Sequence, residues 1–269
     1  MPIIESAYNP YAYSDAGAVG LWQFMPYTGL RYGLNRDYWY EGRRDIIRST
    51  SAALDYLKAL HSEFNGDWAL ALAAYNAGEN RIQREVSRNR SLNRSTKYSA
   101  LQLPKETKKY LPKLIAIKNI INDPNKFGVV LPDLTTESTF AIVDFDYQVD
   151  LNKVAVVTES NYDEFAHSNP GLRRGMTPPK GPHRILVPIA QYDRILAWKL
   201  NIDPAQALGR ASSYTIQPGD TLSQIAAVNG ITVESIKSYN QITSDLIIAG
   251  QVLRLPLIGP FETLSLIHI

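Results

Sequence analysis

There is no cysteine in the 269 residues, which excludes disulfides and thiolate-held metals. Histidine is scarce as well: the four at positions 61, 167, 183 and 268 are scattered without ligand spacing, so neither a metal nor an organic cofactor is expected. Charge of one sign is missing too. A net charge of +2 is too small to argue for nucleic acid, and no contiguous block of Lys or Arg stands out. No apolar run reaches the ~20 residues of a membrane span. What remains, 45% hydrophobic and 20% charged residues, is the make-up of an ordinary folded chain of one or two domains with a sizeable core.

Nothing resembles a secretory signal or a lipid-attachment segment. Met1 stands four residues before the carboxylate singled out below. It reads as an internal methionine promoted to a start, with a signal and an upstream helix lost. The last six residues, LSLIHI, read like translated adapter DNA and receive no functional weight. The missing leader is therefore no argument for a cytoplasmic location.

Residues 1–122 carry helical signals. Ser49-Thr50-Ser51 is expected to cap a helix whose apolar positions Ala53, Leu54, Leu57, Leu60 and Phe64 recur at three- and four-residue spacing. Asn65-Gly66-Asp67 ends it and caps WALALAAYNAG, which Gly78 closes in a left-handed turn. Residues 86–103, rich in Ser, Arg and Asn, read as an exposed connection. A third helix runs from near Pro104 to Asn122, with Pro112 marking a start or a kink. Four residues ahead of Glu5 are too few to form a helix on their own.

After Pro124 the chain becomes β-branched and proline-punctuated. It also repeats. Leu151-Asn-Lys-Val-Ala-Val-Val aligns without gaps on Leu222-Ser-Gln-Ile-Ala-Ala-Val, and the match continues through Phe165/Ile236 to Asn169/Asn240. Each copy then reaches a short strand, ILVP or LRLP, so both suggest strand, helix, helix, strand. In the second copy Gly219 permits a turn, and Asp220 or Thr221 can cap the following helix.

The residue with chemical promise is Glu5. Taken alone, a glutamate beside a serine near a helix end is a solvated or capping group. Its neighbours Ile3, Ile4, Ala7, Tyr8 and Pro10 are apolar, however, and desolvation raises a carboxyl pKa, which keeps a proton for a glycosidic oxygen. Seven of the sixteen tyrosines and two of the four tryptophans lie in residues 1–40. Aromatic faces with polar edges suit sugar rings, although such a segment can equally be core. Asp15, in SDAGAVG, is the nearest rival for a second acid, and the Ser-Asp-Ala-Gly turn already accounts for it.

Glu5-Ser6, Gly20-Leu21-Trp22-Gln23-Phe24, Ala74-Tyr75-Asn76-Ala77-Gly78 and Glu106-Thr107-Lys108-Lys109-Tyr110 fall in the order of the four motifs of the family 1 lytic transglycosylases, which residues 1–122 resemble. Residues 213–257 resemble a LysM domain, on Tyr214, the Pro218–Leu222 turn, Ile225-Ala226, Asn240 and Gly250–Leu253. Residues 143–190, which lack the Gly-Asp-Thr turn, resemble a degenerate copy of it.

The resemblance implies a multidomain α+β protein: a lysozyme-like, all-helical catalytic domain followed by small βααβ modules of LysM type. The boundaries are 1–124, truncated at its N-terminal end, a linker at 125–142, the LysM-like unit at 143–190, a linker at 191–212, the LysM at 213–257 and a tail at 258–269. It makes Glu5 the sole catalytic acid/base and puts Ser6 and Gln23 along the cleft. Tyr75 and Asn76 would hold the sugar and position Glu5, and Tyr110 would close the far wall. Asp220, Thr221, Leu222, Ile247 and Ile248 would meet glycan on the LysM. No metal, cofactor or nucleic acid is implied.

The substrate it implies is the glycan strand of peptidoglycan, in the periplasmic envelope. The MurNAc–GlcNAc β-1,4 bond would be cleaved without water to a 1,6-anhydro end. Membrane contact would come only through a missing N-terminal segment. A lysozyme-type hydrolase and a non-catalytic wall-binding protein are the alternatives.

Overall fold

The computed structural model describes residues 1–132, 137–178, 180–202, 207, 212–229 and 231–255. Two compact units form: Met1–Asn35 with Gly42–Thr136, and Arg36–Glu41 with Glu137–Ile269.

The first unit is helical: α1 Pro2–Ser6, α2 Pro26–Arg31, α3 Ile46–Glu63, α4 Trp68–Ala77, α5 Glu79–Ser91 and α6 Lys105–Asn122. WALALAAYNA has no polar face to offer water, and α4 accordingly lies centrally, packed against α3, α5 and α6. Ala71, Ala73 and Ala74 are fully buried, so small side chains let the neighbours approach. Asp67 caps α4 as expected, accepting from the backbone N–H of Ala69 at 2.8 Å and of Leu70 at 3.1 Å.

Several expectations are corrected here. Asp45, not Ser49-Thr50-Ser51, caps α3, accepting from Arg48 N at 2.8 Å. Thr50 is a turn inside, its hydroxyl turned back on Ile46 O at 2.6 Å. Gly78 has φ 88 and ψ 137, a glycine-only conformation but not the left-handed helical one. Residues 86–91 belong to α5 rather than to a connection, and Leu101 and Leu103 beyond it are buried in the core. Pro112 lies inside α6 and neither starts nor ends it.

In the second unit, β1 Phe140–Asp144, α7 Leu151–Thr158, α8 Tyr162–Ser168 and β2 Arg184–Pro188 are followed by α9 Tyr192–Asn201. Then come β3 Ser212–Thr215, α10 Leu222–Val228, α11 Val233–Asn240 and β4 Val252–Leu255. β1 pairs antiparallel with β2 and β3 with β4, so each copy of the repeat is strand, helix, helix, strand.

Corresponding residues do the same job in both copies. Phe165 and Ile236 are the fully buried centres of their cores. Asn169 donates to Phe165 O and Leu186 O and accepts from Leu186 N at 2.7 Å. Asn240 repeats this with Ile236 O, Arg254 O and Arg254 N, each at 2.8 Å. One amide thus clamps a helix end to the last strand in each module.

The expected linker at 191–212 begins instead with α9, whose Ile195 is buried in the first module's core. Asp203, Pro204, Gly209, Pro256 and the 258–269 tail lie outside the described residues. In the same unit Tyr40 bridges to Leu172, and Trp39 stacks on Tyr239 with ring centroids 5.6 Å apart.

Candidate active site

Glu5 stands on α1, a single turn that does form although an isolated turn would be unstable in water. Pro2 sets the first φ, Ala7 ends the turn at φ 50 and ψ 38, and the turn packs on α6. Docking supplies what length cannot. From α6 the buried Tyr110 donates its hydroxyl to Glu5 Oε1.

Burial is the main cause of a raised Glu5 pKa. The Tyr110 hydrogen bond and the Met1 amino group oppose the shift, and the Glu106 carboxylate adds to it. Burial, then the charge of Glu5, holds the phenols of Tyr110 and Tyr75 above their usual range, so both stay donors. The site is therefore a carboxyl held above its usual range beside two phenols that stay donors.

The other motif residues build the frame. Ser6 Oγ donates to Leu21 O at 3.0 Å, tying α1 to the Gly20–Phe24 turn. Gln23 adopts φ 49, and its amide donates to Gly20 O at 2.9 Å and Ala12 O at 3.2 Å. That leaves its Oε1 able to accept a further hydrogen bond. Tyr75 donates to Trp22 O at 2.8 Å, so it braces the turn, and Glu5 reaches it through charge rather than through a hydrogen bond. Asn76 Nδ2 reaches Glu106 Oε1 at 3.3 Å, and Asn76 Oδ1 accepts from Thr107 at 2.8 Å. The four motifs thus converge on one place.

Sequence reasoning missed three contributors. Glu106 lies one turn before Tyr110 on α6 and is the carboxylate whose charge reaches Glu5; Asp15 is not among the charges acting there. Asp15 is exposed, and Ser14 closes its turn by accepting from Ala18 N at 3.0 Å. Arg43, only 3% exposed, donates to Gly17 O at 3.0 Å and Phe24 O at 3.1 Å, stapling both ends of the turn that carries Gln23. Tyr56 donates to Glu79 at 2.9 Å and packs its ring 5.3 Å from that of Tyr75. Tyr56 was not among the positions that the helical period singled out, and nothing local marked its partners.

On the LysM-like second copy, the five expected glycan-contact residues divide. Leu222 is 4% exposed in the module core, leaving a ligand only its backbone. Asp220 accepts from Tyr214 OH and Gln217 N at 2.7 Å and so holds the turn. Thr221 forms a capping box with Gln224. Ile247 is half-buried against the core, and Ile248, 67% exposed, presents its side chain outward. Among the described residues no group of His, Asp and Glu could hold a metal, and no helix is long and apolar enough to cross a membrane.

Comparison with known proteins places these parts. Residues 1–97 match the Transglycosylase SLT domain, 139–197 the LysM-like domain of lytic transglycosylase MltD, and 214–256 the LysM domain. The helical unit thus carries an SLT-type transglycosylase domain, and two LysM-type modules follow it.

More particularly, the chain is 34% identical over 262 residues to membrane-bound lytic murein transglycosylase D of Escherichia coli K12, a match over 94% of this chain and 58% of the relative. It therefore spans under two thirds of that relative's length. A putative soluble lytic murein transglycosylase of Haemophilus influenzae is 37% identical over 87 residues, 31% of this chain and 15% of the relative. The X-ray structure of lytic transglycosylase Slt of Pseudomonas aeruginosa overlaps 50% of this chain and 22% of its own at 26% identity and a TM-score of 0.35.

Proposed function

We propose that this chain is a peptidoglycan lytic transglycosylase of the bacterial cell envelope, acting on the periplasmic side and held on the wall by its LysM domain. The observation that carries the reading is the partly buried Glu5, its pKa raised by that burial, hydrogen-bonded to Tyr110 where all four motifs meet. Glu5 gives its proton to the glycosidic oxygen as the bond to the MurNAc anomeric carbon breaks, while the sugar's own acetamido oxygen closes on that carbon. The resulting Glu5 carboxylate then takes the proton of the C6 hydroxyl. O6 displaces the acetamide to close a 1,6-anhydro ring, and the acid is regenerated. One carboxylate suffices because the substrate supplies the nucleophile.

A second reading is favoured by one observation, the Glu106 charge acting on Glu5. Two carboxylates across a bond are what a hydrolase needs. The products decide: anhydro, non-reducing ends support the lyase, and reducing ends the hydrolase. Glu5→Gln keeps the shape and cannot donate the proton, so turnover of sacculi should fall on the order of 10²–10⁴-fold with binding retained. Near-native turnover would move the chemistry to another residue, and no turnover by the parent chain would leave a wall-binding protein.

A further inference from the structure

Ten Lys and Arg stand against two Glu between Arg81 and Lys113, although the whole chain carries only +2. Interspersed with Ser, Asn and apolar residues, they make no block in the sequence. The fold gathers them. The buried Asn89 of α5 donates to Ser95 O at 2.7 Å and to Ala100 O at 3.1 Å, turning residues 92–100 back onto the helix. Arg88 reaches Gln102 at 3.0 Å, and Tyr98 OH bonds Thr107 O at 2.5 Å, which ties the returning segment to the first turns of α6.

Arg90, Arg94, Lys97, Lys105, Lys108 and Lys109 are all exposed. None of the six forms an ion pair among the described residues. Glu106, the acid nearest in sequence to Lys97, Lys105, Lys108 and Lys109, is engaged with Asn76. The segment that carries these cations ends at Tyr110, whose hydroxyl is on Glu5. A surface of one sign at the rim of a site draws in anionic ligand and raises its local concentration.

We propose that this rim binds the carboxylates of the peptide branches carried by a glycan strand, so that peptide-bearing strands are preferred to bare ones. The inference takes its substrate from the transglycosylase reading. A strand whose scissile bond lies at Glu5 brings its branches beside α6, because Lys109 lies one helical turn from Lys105 and three residues from Glu106, whose charge reaches Glu5. That continuity favours a substrate branch over an anionic lipid surface.

The test is binding of the full chain, carrying Glu5→Gln to prevent turnover, to intact sacculi and to sacculi stripped of peptides by an amidase. The second protein adds Lys105→Gln, Lys108→Gln and Lys109→Gln, exposed positions whose neutralisation leaves the core untouched. The LysM contributes alike to both proteins and cancels. The parent should bind intact sacculi about tenfold more tightly than stripped ones, the sum of a few exposed charge pairs. The three substitutions should bring that ratio near one without weakening binding to stripped sacculi, and raising salt should do the same to the parent.

A parent ratio of one, a ratio that survives neutralisation, or equal loss on both substrates overturns the proposal. So does an unchanged ratio accompanied by loss of co-sedimentation with phosphatidylglycerol vesicles, which would assign the rim to a membrane surface. Failure to find anhydro ends with active protein, with the ratio still collapsing, would sink only the transglycosylase reading.

Discussion

Glu5 carries two opposed influences whose balance can be read by titration. Burial pushes its pKa up and the Tyr110 hydrogen bond pulls it down. Tyr110→Phe removes the downward influence and keeps the ring, so the carboxyl should hold its proton to higher pH. On the proposed mechanism the first chemical step uses protonated Glu5, so the alkaline limb of the activity profile should move to higher pH in that variant; a move to lower pH would mean that Tyr110 does not stabilise the carboxylate. Stability follows with its own sign. A carboxyl whose folded pKa lies above its unfolded one is no burden below the unfolded value, and destabilises increasingly as pH rises through the folded value. Thermal melts should therefore show Glu5→Gln more stable than the parent at neutral pH, with the gap closing towards acid. Parity across the whole range would mean Glu5 is solvated. The apolar neighbours made the raised pKa legible in the sequence, whereas the partner Tyr110 lies 105 positions away and came only through motif order.

The turn that carries Gln23 gives the lesson at the scale of an element. Gly20 has φ +84, and a Cβ there would fall 2.0 Å from Arg43 O; at Gly29 one would fall 2.9 Å from the Arg43 stem. Both glycines make room for the backbone and stem of Arg43, whose buried guanidinium holds the turn by two carbonyls. Gly20→Ala should cost ~2–5 kcal/mol, from a left-handed backbone with a β-carbon and from overpacking against backbone that cannot yield. A denaturant melt checks this, and a loss under ~0.5 kcal/mol would show that the turn relaxes freely. Gly20 was visible in sequence as part of a motif, but its reason was not, since Arg43 is distant in the chain and reads as an ordinary surface arginine. The α3 start was misjudged similarly: Ser and Thr are good caps, yet Asp45 one turn earlier takes the role and Thr50 was needed inside, accepting from Trp22 Nε1 at 2.9 Å. Helix periods are local and legible. Side-chain partners across the fold are not.

For the whole molecule, the repeat at 71-residue offset was legible because both copies need the same buried positions and the same Asn clamp. The extent of the first module was not, since α9 continues beyond β2 and buries Ile195 in that module's core. The consequence for function is avidity. Deleting residues 213–257 should weaken binding to insoluble peptidoglycan far more than it slows cleavage of short soluble glycans. A second site on the same chain raises the local concentration of enzyme on a polymer, and gains of ~10²–10⁴ need no new contact at Glu5. A fragment too short to reach both sites cannot feel the loss. Ile248, outward-facing on the module, offers a milder version: Ile248→Ser should weaken sacculus binding without touching the module core. The deletion also uncovers Trp39, on which Tyr239 stacks, so a thermal melt of the shortened chain must accompany the pull-down and turnover measurements. With the melt unchanged, an equal fall in sacculus binding and soluble-fragment turnover would make the LysM part of the catalytic machinery rather than an anchor.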